Sequence, residues 1–301
     1  MVELKDTVIS LLLNGFHIDK VERVTSSTFI LNFHKYDNLG AKIDYSLLLC
    51  NKDLKGSYLS TLDTYSSKQN ATKIVVSKEN PPDDVLSFTP EGFFNSIGGY
   101  IDTGLILIPQ LHEFLQKLGH NKLPEELSGS PDDLLELYSK SCLQYILNSK
   151  GVHYGTDRLF ESLPDGVILG KDKMIIQFDS KAYSGGFKFS ADDIKRFARY
   201  IQEFNSKYEN LLGSVFTFLV ISGHFEDSER SLNRRSKELY SLCQTNLSVL
   251  NCEELASITT IIKNNPECRN SINWHNIFSE MIIESSLIEE QIDQIKKDKI
   301  L

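Results

Sequence analysis

One stretch, Leu163-Pro-Asp-Gly-Val-Ile-Leu-Gly-Lys-Asp-Lys-Met-Ile-Ile-Gln-Phe-Asp-Ser-Lys-Ala-Tyr-Ser-Gly-Gly-Phe187, constrains the fold more than any other. Gly166 to Leu169 is a short apolar run, Gly170 to Lys173 is polar and turn-prone, and Met174 to Phe178 is apolar again. Two apolar runs across so short a polar connection predict a β-hairpin. Side chains alternate faces along a strand, so Asp179 and Lys181 share one side if the second strand continues. With the turn closing at Gly170, Asp165 falls beside Phe178 and Asp179. Two carboxylates and one ammonium then meet at one end of the hairpin.

That trio has a chemical use. Asp165 and Asp179 offer hard oxygen ligands, which suit Mg2+ or Mn2+. An ion held there polarises a phosphate and lowers the pKa of a bound water. Lys181 can steer or activate that water and offset charge on the phosphoryl oxygens. The chemistry is phosphodiester hydrolysis. The same spacing also fits a plain surface hairpin with solvated charges, because Pro-Asp-Gly is an ordinary turn sequence and Asp-x-Lys is common.

Pro164-Asp165 followed by Asp179-Ser180-Lys181 resembles the PD-(D/E)XK nuclease signature. The run from Asp179 to Phe187 resembles the active-site segment of the cleavage domains of FokI-type (type IIS) restriction endonucleases. Phe218-Leu-Val-Ile-Ser-Gly-His-Phe225 resembles the next core strand of those domains, and Leu247-Ser-Val-Leu-Asn-Cys-Glu-Glu-Leu255 a late strand and its helix. The three matches come in the same order, over roughly 132–261. The resemblance implies an α/β fold with a central mixed sheet flanked by helices. It implies catalytic roles for Asp165, Asp179 and Lys181, with the Ser180 carbonyl as a further metal ligand. It also implies Mg2+ as cofactor, with Mn2+ substituting, and double-stranded DNA as partner. In such domains the helix corresponding to 190–208 helps two copies pair. The acid and arginine of that pairing correspond to Lys195 and Arg199, so the acid is missing, and a second nuclease or specificity subunit is expected beside self-dimerisation on DNA.

Other residues are weaker candidates. Glu136 belongs to a helix that Ser130-Pro-Asp-Asp opens, and it fits either the metal shell or a solvated helix face. Glu161 lies in the loop before the hairpin. Ser184 and Gly185 give backbone freedom near a phosphate, or form a simple turn. His224 follows a core strand, where a structural or phosphate-contacting role competes with that of general base. Arg230, Arg234, Arg235 and Lys237 suit phosphate contact or an ordinary solvated face equally.

The net charge of -9 argues against a strong autonomous binder of DNA, since such binding leans on phosphate neutralisation by Lys and Arg. It leaves room for a local basic face or a targeting partner. The five scattered cysteines form no Cys-x-x-Cys pair and predict reduced thiols. No apolar run approaches the ~18 residues of a membrane helix, and Met-Val-Glu-Leu-Lys-Asp lacks the pattern of a signal peptide, so a cytoplasmic protein without membrane contact is expected.

The 301 residues suggest about two domains. Residues 1–118 read as a smaller α/β domain for recognition or docking, or as a mere scaffold. Within them a helix is expected at 2–13, strands at 25–34, 41–51 and 72–77, a helix at 57–69 and another opened by Thr89-Pro90 with Phe93, Phe94 and Ile97 inside. Asp44 sits on a strand there with no Asp-x-Lys after it. Residues 119–130 read as the linker, and 131–301 as the nuclease domain, with a helix near Trp274 and a charged, partly disordered tail from Gln291. The expected function is a metal-dependent DNA endonuclease, a type IIS restriction or related phage-defence nuclease and the cleavage subunit of a larger assembly. The contrasting expectation is a non-catalytic module that binds DNA or a partner protein.

Overall fold

The computed structural model describes residues 3–13, 16–36, 42–51, 53–69, 71–78, 85–89, 93, 109–154, 163–170 and 173–298. The chain divides into two compact units, Met1–Tyr100 and Ile101–Leu301. The division expected at 119–130 therefore lies inside the second unit. The helix Leu111–Gly119 buries Leu111, Phe114, Leu115 and Leu118 in that unit's core.

The first unit runs α1 (Leu4–Leu13), β1 (His17–Thr25), β2 (Thr28–Tyr36), β3 (Lys42–Cys50), α2 (Gly56–Gln69), β4 (Thr72–Val76) and β5 (Leu86–Phe88). Its sheet has the order β1-β2-β3-β4-β5. The first three strands form an antiparallel meander, and β4 and β5 add on in parallel. β1 was not expected as a strand, because Asp19, Lys20, Glu22 and Arg23 dilute its apolar alternation. Ile30, Leu48, Val75 and Leu62 of α2 meet in one apolar cluster, which puts α2 over one face of the sheet. The helix expected after Pro90 lies outside the described residues except for Phe93, which is buried.

The second unit repeats that strand plan on a larger scale. Its elements are α3 (Leu111–Gly119), α4 (Pro131–Leu147), β6 (Lys150–His153), β7 (Gly166–Leu169), β8 (Ile175–Lys181), α5 (Ala191–Leu212), β9 (Val215–Ser222), α6 (Glu229–Cys243), β10 (Asn246–Asn251), α7 (Cys252–Asn264), α8 (Trp274–Ser279) and α9 (Ser285–Asp298). The sheet order is β10-β9-β8-β7-β6. β6, β7 and β8 are antiparallel, and β8, β9 and β10 are parallel. Helical crossovers are what parallel neighbours require, and α5 and α6 supply them.

Alternation along β8 assigns its residues. Ile176 and Phe178 join the core shared with α3, α4, α7 and α9. Asp179 and Lys181 take the opposite parity and face α5, as Gln177 does through a hydrogen bond from its Nε2 to the Tyr200 carbonyl. On that side the Phe197 ring of α5 stacks on Phe218 of β9 with centroids 4.3 Å apart. Ser190 starts α5 with a capping box: its hydroxyl accepts from the Asp193 N–H and the Asp193 carboxylate accepts from the Ser190 N–H. Ser130 occupies the corresponding place before α4, but its side chain makes no capping hydrogen bond.

The expected disordered tail is instead helical through Asp298. Leu287, Ile288, Ile292 and Ile295 recur at helical spacing, and Ile288 and Ile292 are buried in the core. Just before it, the Val249 N–H donates to the Met281 carbonyl and the Ile283 N–H to the Val249 carbonyl. These bonds cover the outer edge of β10, which would otherwise expose unpaired backbone groups.

Candidate active site

The β7–β8 hairpin has the register expected from its turn. Leu169 pairs with Ile175 and Gly166 with Phe178, and the Gly170 N–H donates to the Met174 carbonyl at 2.8 Å. Asp165, one residue before β7, therefore stands next to Asp179. A side chain at position 166 would collide with the Val152 carbonyl and the Phe178 ring, so Gly166 is what lets three strands close at this point. The Asp165 carbonyl accepts from the Tyr154 N–H at 2.8 Å, and its Oδ2 accepts from the Ser180 N–H at 2.5 Å.

Asp179 is only 3% exposed. Its Oδ2 lies 2.6 Å from Lys181 Nζ and 3.9 Å from Arg196 Nη2. That oxygen accepts no hydrogen bond of good geometry despite the nearby cations. Arg196 comes from the second turn of α5 and is held by Asp193 at 2.8 Å.

The electrostatics follow from crowding. Burial first, then the Asp179 charge, raises the Asp165 carboxyl well above the ordinary carboxylate range; the Lys181 charge and the Ser180 hydrogen bond oppose this. Burial works against the Lys181 ammonium, but Asp179 and Asp165 outweigh it and hold the group above the ordinary lysine value. Lys181 is thus a cation at neutral pH.

Glu136 of α4 is 15% exposed and sits 2.8 Å from Nε2 of His153, at the end of β6. It is not on a solvated face, and its charge adds to those that raise Asp165. His153 pairs with Gly166 across the ladder, beside Asp165. Neither His153 nor the contact of Arg196 with Asp179 was read from the sequence, which carries no local signal for either. Glu161 lies outside the described residues. Ser184 and Gly185 are exposed in the turn after β8. His224 is exposed too; its carbonyl accepts from the Phe187 N–H, and its ring packs where a side chain on Gly186 (φ 101°) would go. Among the described residues no hydrogen bond or ion pair joins these three to the carboxylates. Lys195, Arg230, Arg234 and Lys237 line an open groove of about 1050 Å³ between α5 and α6, away from the trio's own contacts.

The trio fits a hard divalent cation. Two carboxylates converge, one buried carboxylate oxygen lacks a well-formed hydrogen bond, and every donor is oxygen.

The FokI cleavage-domain family model matches residues 107–283. A structure of restriction endonuclease FokI is 24% identical, with a TM-score of 0.40, covering 56% of this chain and 31% of that one. A structure of restriction endonuclease FokI bound to DNA is 16% identical, with a TM-score of 0.42, covering 80% of this chain and 56% of that one. The chain therefore spans 31% and 56% of the lengths of the two solved structures it is similar to. No curated protein matches it. No helix among the described residues is long and apolar enough to cross a membrane.

Proposed function

This chain belongs to the FokI cleavage-domain family, and from that membership we propose that it is a metal-dependent DNA endonuclease that hydrolyses phosphodiester bonds. The observation that carries the reading is the convergence of Asp165, Asp179 and Lys181 at one end of the β7–β8 hairpin. Asp165, Asp179 and the Ser180 carbonyl would hold Mg2+, or Mn2+ in its place. When bound, the ion polarises the scissile phosphate and offsets its developing charge.

The chain's own groups do the rest. In the metal-free fold Asp179 and Asp165 hold Lys181 as an ammonium, and as such it would donate to the attacking water and to the phosphoryl oxygens. Arg196, 3.9 Å from Asp179, brings a second cation to the same side. The Ser180 N–H holds the Asp165 carboxylate toward Asp179.

In this reading the chain is a type IIS restriction or related defence nuclease, working in the cytoplasm, where its five free cysteines stay reduced. One site cuts one strand. A double-strand break then needs a second copy, a second nuclease or a specificity subunit. The first unit, Met1–Tyr100, serves recognition or docking, and the second unit, which takes in residues 101–130, is the nuclease domain. The apolar end of β3, Leu47-Leu-Leu-Cys50, supports this division, because it carries none of the acids and lysine of β8.

The test is cleavage of supercoiled plasmid in Mg2+ by the purified chain, beside Asp179→Ala and Lys181→Ala. Cutting by the wild type that both substitutions abolish is the expected result. Open circles without linear product would assign single-strand nicking to the lone chain. Equal cutting by wild type and Asp179→Ala would overturn the assignment.

A further inference from the structure

We propose that Asp19, His34 and Asp44 form a second divalent-metal site, within the first unit, that takes a transition ion of the Zn2+ class. One ligand atom from each residue lies within 4.8 Å of the others. His34 Nδ1 is already 2.8 Å from Asp19 Oδ2.

Three adjacent strands supply the residues. His17 of β1 pairs with His34 of β2, and His34 pairs with Asp44 of β3. Toward the interior the same face becomes polar and then apolar: Asn32 Oδ1 accepts from the Ser46 hydroxyl at 2.9 Å, and Ile30 packs with Leu48 under α2. The cluster is therefore the polar end of a packed face. Asp19 reaches it because the ladder slips between Ile18 and Lys20, leaving Asp19 as the extra residue of a β-bulge. Such bulges re-aim a side chain. A second feature fixes the imidazole: the His17 ring stacks on the His34 ring, with centroids 4.7 Å apart and planes within 8°. The stack orients His34 toward the two carboxylates.

The donor set selects the ion. One imidazole nitrogen with two carboxylates is softer than the all-oxygen set at Asp165 and Asp179, and imidazole suits Zn2+ better than Mg2+. Three protein ligands leave a fourth position for water. His34 is buried while Asp19 is exposed, so an ion has a route in from solvent and a fixed nitrogen at the inner end. The Lys42 ammonium, 2.8 Å from Asp44, is the cation that the metal would displace. The bound ion would tie β1, β2 and β3 together at one point.

The experiment titrates Zn2+ by calorimetry into the full, untagged chain carrying Asp179→Ala, which removes the buried acid of the nuclease site. One Zn2+ per chain is expected. Asp44→Asn on that background keeps the shape of the side chain and is expected to weaken binding at least tenfold, with an unchanged melting temperature in chelator. With Co2+ as probe, a visible absorption band should appear and be lost in His34→Gln. No Zn2+ bound by the Asp179→Ala chain, or binding that both Asp44→Asn and His34→Gln leave intact, would overturn the proposal. A failure of plasmid cleavage would leave it standing.

Discussion

The Asp165 carboxylate accepts a hydrogen bond from the backbone N–H of Ser180 across the hairpin, at 2.5 Å. That bond ties the residue before β7 to the residue between Asp179 and Lys181. The two acids are held in proximity by strand register, so their mutual repulsion is built into the folded state.

Asp165→Asn should therefore stabilise the metal-free protein. The folded state binds the Asp165 proton more tightly than the unfolded chain does, since burial and Asp179 raise its pKa. Below the ordinary carboxylate value, about 4, both states carry the proton and the residue costs nothing. As pH rises from there through the raised folded value, stability is lost. Thermal melts in chelator should show Asp165→Asn more stable by on the order of 1 kcal/mol near neutral pH, with the gap closing in acid. Cleavage by the same variant should fall at least ~100-fold.

Lys181 makes a different prediction. A lysine held charged cannot act as a base, so the pH–rate profile should show no limb from its deprotonation across the neutral range. Lys181→Ala should lower kcat by roughly 100- to 1000-fold, the typical loss of one charge-stabilising donor, and should move the acidic limb toward higher pH, because the Lys181 charge opposes the raising of Asp165. Single-turnover rates across pH would measure both.

Glu136→Gln tests what the Glu136–His153 pair does. Its charge helps raise Asp165, so removing it should let Asp165 give up its proton at lower pH. The Mg2+-induced rise in melting temperature should then set in at lower pH than in the wild type. A ligand role for Glu136 would instead weaken the Mg2+ effect at every pH.

Gly119→Ala probes the support of the strand end. A Cβ there would lie 2.7 Å from the Gly223 Cα and 2.6 Å from the Cys252 sulfur. Backbone cannot swing aside as a flexible side chain can, and the Gly119 carbonyl also accepts from the Tyr183 N–H just after β8. The variant should lose about 1–3 kcal/mol, an overpacking cost, read from denaturant or thermal unfolding.

The trio could be read from the sequence because a hairpin needs little else: a turn at Gly170 sets the register, and the register sets which side chains meet. The Glu136–His153 pair could not be read that way. It depends on how α4 packs against β6, a strand of only four residues that contains Gly151 and takes its shape from its partner. Arg196 was visible as one of several basic residues on α5, but its contact with Asp179 depends on how that helix crosses the sheet. The last helix was misjudged because Lys296, Lys297 and Asp298 masked the apolar stripe of Ile288, Ile292 and Ile295. In the first unit, the bulge at Asp19 comes from a slip in pairing that no residue type announces.

β8 is the middle strand of its sheet, with two neighbours on each side. Amides of a middle strand exchange with solvent only when the whole sheet opens, whereas edges fray first. Asp179 and Lys181 thus sit where hydrogen exchange should be slowest. On the proposed function, Asp179 would keep its place until the sheet opens, and control over cleavage would fall to whatever governs the approach of the phosphate.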